Sequence, residues 1–166
     1  MENRLSNILM TVCRLLKKNE AEYILIGGAA VALHGYYRHS VTLTGEITDK
    51  PDIDIWFNPT YDNYFRILKV IEDLGIDVSE YRNEKNSNPK ESFFKLELDD
   101  FTFDILPNIK AEIEFKDAYK RKEIIKVNEI EIYFLNYNDL IKDKQTTARK
   151  KDIDDLKNLS DAKESE

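Results

Sequence analysis

Two aspartates in one short segment, Asp52 and Asp54, have the spacing that most directly indicates chemistry. Residues 52–57 alternate as a β-strand does, and side chains two positions apart on a strand share one face. Two like charges side by side repel each other unless a cation lies between them. Mg²⁺ takes carboxylate oxygens and substrate phosphates together. The spacing therefore predicts a magnesium site. The alternative is an acidic strand end in a chain that contains 32 acidic residues.

A third aspartate, Asp104, lies in a second strand-like segment at residues 101–106. Phe103 and Ile105 share one face of this segment, and Asp104 lies on the other face with Thr102. Taken alone, Asp104 is better explained as a solvated carboxylate on a half-exposed strand. On a strand next to residues 52–57, however, it would complete a two-metal site. Such a site clamps the attacking and leaving oxygens of a phosphoryl transfer.

A glycine pair, Gly27 and Gly28, lies between a β-type run at residues 23–26 and good helix formers at residues 29–33. This order predicts a strand, a tight turn and a helix. Glycines allow the backbone to approach a ligand closely, and a helix N-terminus offers free N–H groups to a phosphate. The alternative is a plain tight turn, because neither the dinucleotide fingerprint nor the Walker motif is present.

Basic residues cluster near the C-terminus of this acidic chain. Lys144 follows Leu140 by four residues and Ile141 by three, so it leans towards the buried side of its helix. A lysine in that position either reaches a phosphate or extends its ammonium to solvent. Arg149 and Lys151 belong to the same cluster, for which a solvated helix junction is the alternative explanation.

The remaining patterns predict an α+β domain with a mixed sheet flanked by helices and a helical C-terminal end. One helix follows Asn58 as cap and Pro59 as first residue, and ends at Gly75. Trp56 is expected to pack in the core. We expect one domain at residues 1–160 and a polar tail at 161–166. The other predicted segments are helices at residues 3–19, 136–147 and 153–159, strands at 94–98 and 101–106, a hairpin at 124–134, a surface loop at 78–91 and a polar connection at 36–51.

Composition excludes several classes of protein. The chain has 166 residues and a formal net charge of −7, whereas a module that binds duplex DNA normally carries a basic excess. The longest apolar stretch has ten residues, about half of what a membrane span requires. A single cysteine rules out a disulfide framework and favours a reducing, cytoplasmic location.

In order and spacing, these pieces resemble the minimal nucleotidyltransferases of the DNA polymerase β-like superfamily. Within it they are similar to the AbiEii-like toxins and to the small antibiotic nucleotidyltransferases of the lincosamide type. The likeness covers most of residues 22–159. It is carried by the run at residues 24–35, by residues 52–56 and 103–105, and by the late pattern that starts at Leu140 and ends at Leu156.

The resemblance implies a role for each candidate residue. Two Mg²⁺ ions, for which Mn²⁺ can substitute, would be held by the aspartates Asp52, Asp54 and Asp104, and Asp104 could accept the proton of the acceptor hydroxyl. That hydroxyl would attack the α-phosphate in line, and pyrophosphate would leave. The nucleoside triphosphate, ATP among the candidates, would be contacted by Gly27, Gly28, Lys144, Arg149 and Lys151.

The function expected from this resemblance is magnesium-dependent transfer of a nucleoside monophosphate to a hydroxyl. The acceptor is left open as a small molecule, a tRNA end or a protein. A toxin of a toxin–antitoxin system, with an antitoxin protein as partner, is one form of this function. The alternative is a catalytically silent module of the same fold that binds a nucleotide or a partner. The connection at residues 36–51 is expected to be a lid or an acceptor-binding insertion.

Overall fold

The computed structural model describes residues 2–35, 40–41, 47–48, 50–147 and 149–164. A six-stranded mixed sheet forms its centre, and helices cover both faces. Among the described residues, no helix has the length and apolar character that a bilayer span requires. The elements in chain order are α1 (Glu2–Lys18), β1 (Tyr23–Ile26), α2 (Gly27–Leu33), β2 (Ser40–Val41), β3 (Ile47–Thr48), β4 (Asp52–Phe57), α3 (Tyr61–Asp73), α4 (Ser79–Arg82), β5 (Phe94–Glu97), β6 (Thr102–Leu106), α5 (Phe115–Arg121), β7 (Glu123–Val127), β8 (Ile130–Phe134), α6 (Tyr137–Thr147) and α7 (Lys150–Glu164).

The strand order across the sheet is β5-β6-β4-β1-β8-β7. β4 pairs in parallel with β6 and antiparallel with β1, and β1 pairs in parallel with β8. β5 and β7 are antiparallel edge strands. The predicted α+β class, with a mixed sheet and a helical C-terminal end, is confirmed.

The two faces of β4 have different environments. Ile53, Ile55 and Phe57 are fully buried on one face. α3 covers this face. The ring of Tyr64 in α3 lies 6.0 Å from the ring of Phe94 in β5, and Phe94 shares the apolar face with its register partner, Ile105 of β6. Burial of this apolar face fixes which β4 side chains point the other way, since a strand alternates strictly.

On the other face of β4, one end is polar and the other end is buried. Asp52 and Asp54 lie at the polar end. Trp56 is buried at the other end, donates from Nε1 to the carbonyl of Pro107 at 3.1 Å, and meets the ring of Phe115 edge-on at 5.3 Å. The prediction that Trp56 packs in the core is confirmed.

The cap predicted after β4 was wrong. α3 begins at Tyr61, and its N-cap is Thr60, whose hydroxyl accepts from the backbone N–H of Asn63 at 3.2 Å. Asn58 lies before the helix because its backbone N–H donates to the carbonyl of Glu22 and extends the β1–β4 ladder, and α3 begins three residues later. The predicted helix end is confirmed, because Gly75 adopts a left-handed φ of +91° just beyond α3.

Four other segments differ from the sequence prediction. The predicted surface loop at residues 78–91 contains α4 and a 3-10 turn, and α5 was not anticipated.

The last helix is longer than residues 153–159 and continues to Glu164, so most of the predicted tail at 161–166 is helical. Leu159 anchors α7 in the core and explains its length. The connection at 36–51 includes β2 and β3, and its proposed role as a lid lies outside the described residues.

A buried amide joins the strands to α3. The side-chain oxygen of Asn63 accepts from the backbone N–H of Glu22 at 2.7 Å, and its amide donates to the carbonyls of Glu22 and Asn58, both at 2.9 Å. Asn63 is only 1% exposed, so no water can replace these three bonds without local opening.

We predict that Asn63→Ala lowers the free energy of unfolding by about 2 kcal/mol, because it leaves buried backbone groups unpaired. Urea denaturation measures this change. Asn86→Ala, on an exposed loop, is the matched control and should leave stability unchanged. An Asn63 variant as stable as the control would contradict the assignment.

Candidate active site

Strand register places two of the predicted carboxylates side by side. Asp54 of β4 lies directly opposite Asp104 of β6, so both side chains point to the same face of adjacent strands. Asp52 lies two residues earlier on β4, opposite Thr102. Lys95 of β5 lies opposite Asp104 on its other side. The structure therefore gathers three aspartates and one lysine on a single sheet face.

The glycine turn packs directly on this carboxylate pair. Ile26, the residue before the turn, is the register partner of Asp54. Gly27 has a φ of +66°, and a Cβ at this position would overlap the Asp54 carboxylate and lie 3.2 Å from its Cγ. Only glycine fits here, for reasons of both conformation and space. α2 begins at Gly27, two residues earlier than predicted, and Gly28 lies half-buried in its first turn.

The electrostatic environment of the pair favours bound protons or a cation. Burial is the largest cause that raises the pKa of Asp54, and the charges of Asp104 and Asp52 add to it; against the opposing charges of Lys151 and Lys144, the net result is a pKa of about 6. The pKa of Asp104 is also raised, mainly by burial. The Oδ1 atom of Asp104 is buried and has no hydrogen-bond partner in the described part of the chain. A buried acceptor without a donor is uncommon in folded proteins.

Asp52 differs from the other two aspartates because it is exposed and accepts a hydrogen bond from the hydroxyl of Thr102. Across the described residues, no group of three or more His, Cys, Asp or Glu side chains is arranged to hold a metal ion by itself. The pair Asp54 and Asp104 does fit Mg²⁺, which usually binds one or two carboxylates and completes its shell with water and substrate phosphates.

Two of the three basic residues predicted to contact phosphates, Lys144 and Arg149, belong to an ion-pair network between α6 and α7. Lys144 is 4% exposed, and its Nζ lies 3.0 Å from Asp152 and 3.1 Å from Asp155. Arg149 lies at the surface, with its Nε 2.8 Å from Asp152. Lys151 follows in the first turn of α7, and its charge acts on both Asp54 and Asp104.

Asp152 is the hub of this network. Burial would raise its pKa, but hydrogen bonds from Arg149, Thr147 and Lys144 outweigh that effect and lower it. It also accepts from the backbone N–H of Arg149, so it caps the start of α7 as well. Asp152 and Asp155 lie in the late pattern of the sequence, but no role was predicted for them. Their i, i+3 spacing on one helix face was the available signal.

Comparison with known proteins identifies a protein family and solved structures that are similar to this chain. The profile of the family described as "Nucleotidyltransferase of unknown function (DUF6036)" matches residues 3–163. No curated protein sequence matches significantly. The fold is similar to the lincomycin-bound crystal structure of LnuA, a lincosamide antibiotic adenylyltransferase, with a TM-score of 0.60, 17% identity and 96% coverage of each chain.

A second solved structure has a weaker likeness to this chain. It is an antigenic nucleotidyltransferase-like protein from Paracoccidioides brasiliensis, with a TM-score of 0.51 and 12% identity. The match covers 95% of this chain and 75% of that one. At such identities both likenesses establish a shared fold.

The raised pKa of Asp54 predicts how stability depends on pH. Its carboxyl contributes stability fully below its ordinary pKa of 3.8, and this contribution is lost as the pH rises through about 6. Without added metal, we expect Asp54→Asn to be more stable than wild type at pH 7.5, by about 3 kcal/mol. Melting temperatures from pH 4 to 7.5 measure this difference.

Asp99→Asn, in the exposed β5–β6 turn, is the control for this prediction and should follow the wild-type pH profile. If the Asp54→Asn profile were parallel to wild type across the range, the pKa of Asp54 would not be raised in the folded protein.

We further predict that Lys144→Met destabilises the protein by about 3 kcal/mol, because it leaves two buried carboxylates without their shared cation. Lys157→Met, on the exposed face of α7, removes the same charge at the surface and should be neutral. Chemical denaturation of both variants measures the difference. Equal stabilities would show that the network is not held by Lys144.

Proposed function

Because the chain belongs to the DUF6036 family of nucleotidyltransferases, we propose that it transfers a nucleoside monophosphate from a nucleoside triphosphate to a hydroxyl. The observation that carries the proposal is the pair Asp54 and Asp104, which lies beside Gly27 and includes a buried oxygen without a donor. ATP is the proposed donor, because the structurally similar LnuA is an adenylyltransferase.

We propose Mg²⁺ as the cofactor, with Asp54 and Asp104 as its ligands and Asp52 beside them. When bound, the metal supplies Lewis-acid stabilisation of the charge that develops on the phosphate oxygens. Our sequence predictions of two ions and of substitution by Mn²⁺ remain predictions.

Other groups of the chain position the substrates. At Gly27 the absence of a side chain leaves the backbone accessible next to Asp54, which suits a closely approaching phosphate. Lys151, whose charge already acts on both carboxylates, is the cation we assign to the phosphates. Because Lys144 and Arg149 are engaged with Asp152, we assign them first to holding α6 against α7.

In the proposed chemical step, Asp104 accepts the proton that the acceptor hydroxyl loses. The acceptor oxygen forms a bond to the α-phosphorus, the bond from that phosphorus to the bridging oxygen breaks, and pyrophosphate leaves. The hydroxyl proton passes to the Asp104 carboxylate, whose raised pKa suits a general base. A tRNA end or a protein as the acceptor remains a prediction. A role as a toxin, with an antitoxin protein as its partner, also remains a prediction.

The test combines nucleotide binding with turnover. Wild type should bind ATP only with Mg²⁺ in calorimetry, and should release pyrophosphate when incubated with candidate hydroxyl acceptors. Asp104→Asn should reduce release by about 100-fold or more, because it removes both a metal ligand and a base. Asp99→Asn, an exposed aspartate outside the site, should behave as wild type.

Two results would contradict this function. Failure of wild type to bind any nucleoside triphosphate with Mg²⁺ or Mn²⁺ would exclude it. ATP binding that is unchanged in an Asp54→Asn, Asp104→Asn double variant, without pyrophosphate release, would favour the silent binding module.

A further inference from the structure

We propose that Lys95 binds the acceptor, and that the acceptor is a small molecule with one anionic group near its reactive hydroxyl. This inference rests on the proposed function. It begins with a row of register partners across the sheet. Lys95 of β5 faces Asp104 of β6, Asp104 faces Asp54 of β4, and Asp54 faces Ile26 of β1, immediately before Gly27. Lys95 and the glycine turn thus flank the carboxylates on opposite sides.

The distance between these flanks separates two binding regions. Three strand spacings lie between β5 and β1, which corresponds to about 14 Å. Nucleophile and leaving group lie on opposite sides of the phosphorus in an in-line transfer. Because the phosphates are assigned to Gly27 and Lys151, the acceptor must approach from the side of Lys95.

Lys95 is also distinguished by its lack of an ion-pair partner. It is exposed and makes no ion pair with any described residue, although its charge acts on Asp104. Three other cations around the site are engaged: Lys144 and Arg149 with Asp152, and Lys50 with Glu97 at 3.3 Å. An unpaired ammonium on an open edge strand is suited to an incoming anion.

The neighbours of Lys95 limit the size of that anion. Glu97 lies two positions along the same strand, Asp52 is exposed nearby on the same face, and Asp99 and Asp100 are exposed in the following turn. Lys50 offsets the charge of Glu97, but Asp52 and Asp99 add negative charge that would repel a polyanion. A molecule with one phosphate or carboxylate would meet Lys95 alone.

The test uses a matched pair of probes, glycerol 3-phosphate and uncharged glycerol. Each is titrated by calorimetry into protein saturated with Mg²⁺ and a non-hydrolysable ATP analogue. Glycerol 3-phosphate should bind wild type more tightly than glycerol does. Lys95→Met should weaken its binding about tenfold, and Lys95→Arg should retain most of it.

Lys69→Met is the control, because it removes an exposed lysine from α3, which covers the opposite sheet face. It should leave the affinity for glycerol 3-phosphate unchanged. Circular dichroism of each variant verifies that it is folded.

Several outcomes would overturn the inference while leaving the proposed function intact. The first is that glycerol 3-phosphate does not bind to the nucleotide-loaded wild type. The second is that wild type and Lys95→Met bind glycerol 3-phosphate with equal affinity. The third is that a short single-stranded RNA binds more tightly than glycerol 3-phosphate. Loss of the ATP analogue in Lys95→Met would place Lys95 at the nucleotide instead. Failure of wild type itself to bind the analogue would refute the proposed function.

Discussion

The main constraint on this structure is the repulsion between two carboxylates that lie opposite each other on adjacent strands. Asp54 and Asp104 are opposed on adjacent parallel strands, and the glycine turn closes over one of them. The strands cannot separate to relieve the repulsion, because their other face is a continuous apolar core that includes Ile53 and Ile55. The energy that holds the charges together therefore comes from apolar burial on the reverse side of the same strands.

The positive charge near the site is arranged in two tiers. Lys144 is buried with Asp152 and Asp155, where it joins α6 to α7 and also moderates the pKa of Asp54. Lys151 and Lys95 lie nearer to solvent and act on Asp104 from α7 and from β5. The buried tier consists of compensated charges that hold the helices together, whereas the outer tier is the one that we propose for anionic substrates.

Much of the fold was predictable from local patterns. The strict alternation of residues 52–57 identified β4, and the two-residue turn of the β7–β8 hairpin was located at Asn128, which adopts the positive φ that such turns require. The helix predicted to start after Asn136 does so, with that side chain accepting from the N–H of Asp139. The start of α3 was predicted too early because Asn58 still belongs to the β1–β4 ladder through its hydrogen bonds to Glu22, 36 residues away in sequence.

By itself, the sequence determined which residues share a strand face, where the glycine turn falls and which residue types could hold a cation, since these follow from the periods of the backbone and the chemistry of the side chains. Only the tertiary structure decided that Asp104 lies opposite Asp54 and that Lys95 lies opposite Asp104. It also decided that Lys144 forms ion pairs with Asp152 and Asp155. Strand order and helix packing depend on contacts between segments far apart in the chain. No local pattern encodes the register in which two such segments meet.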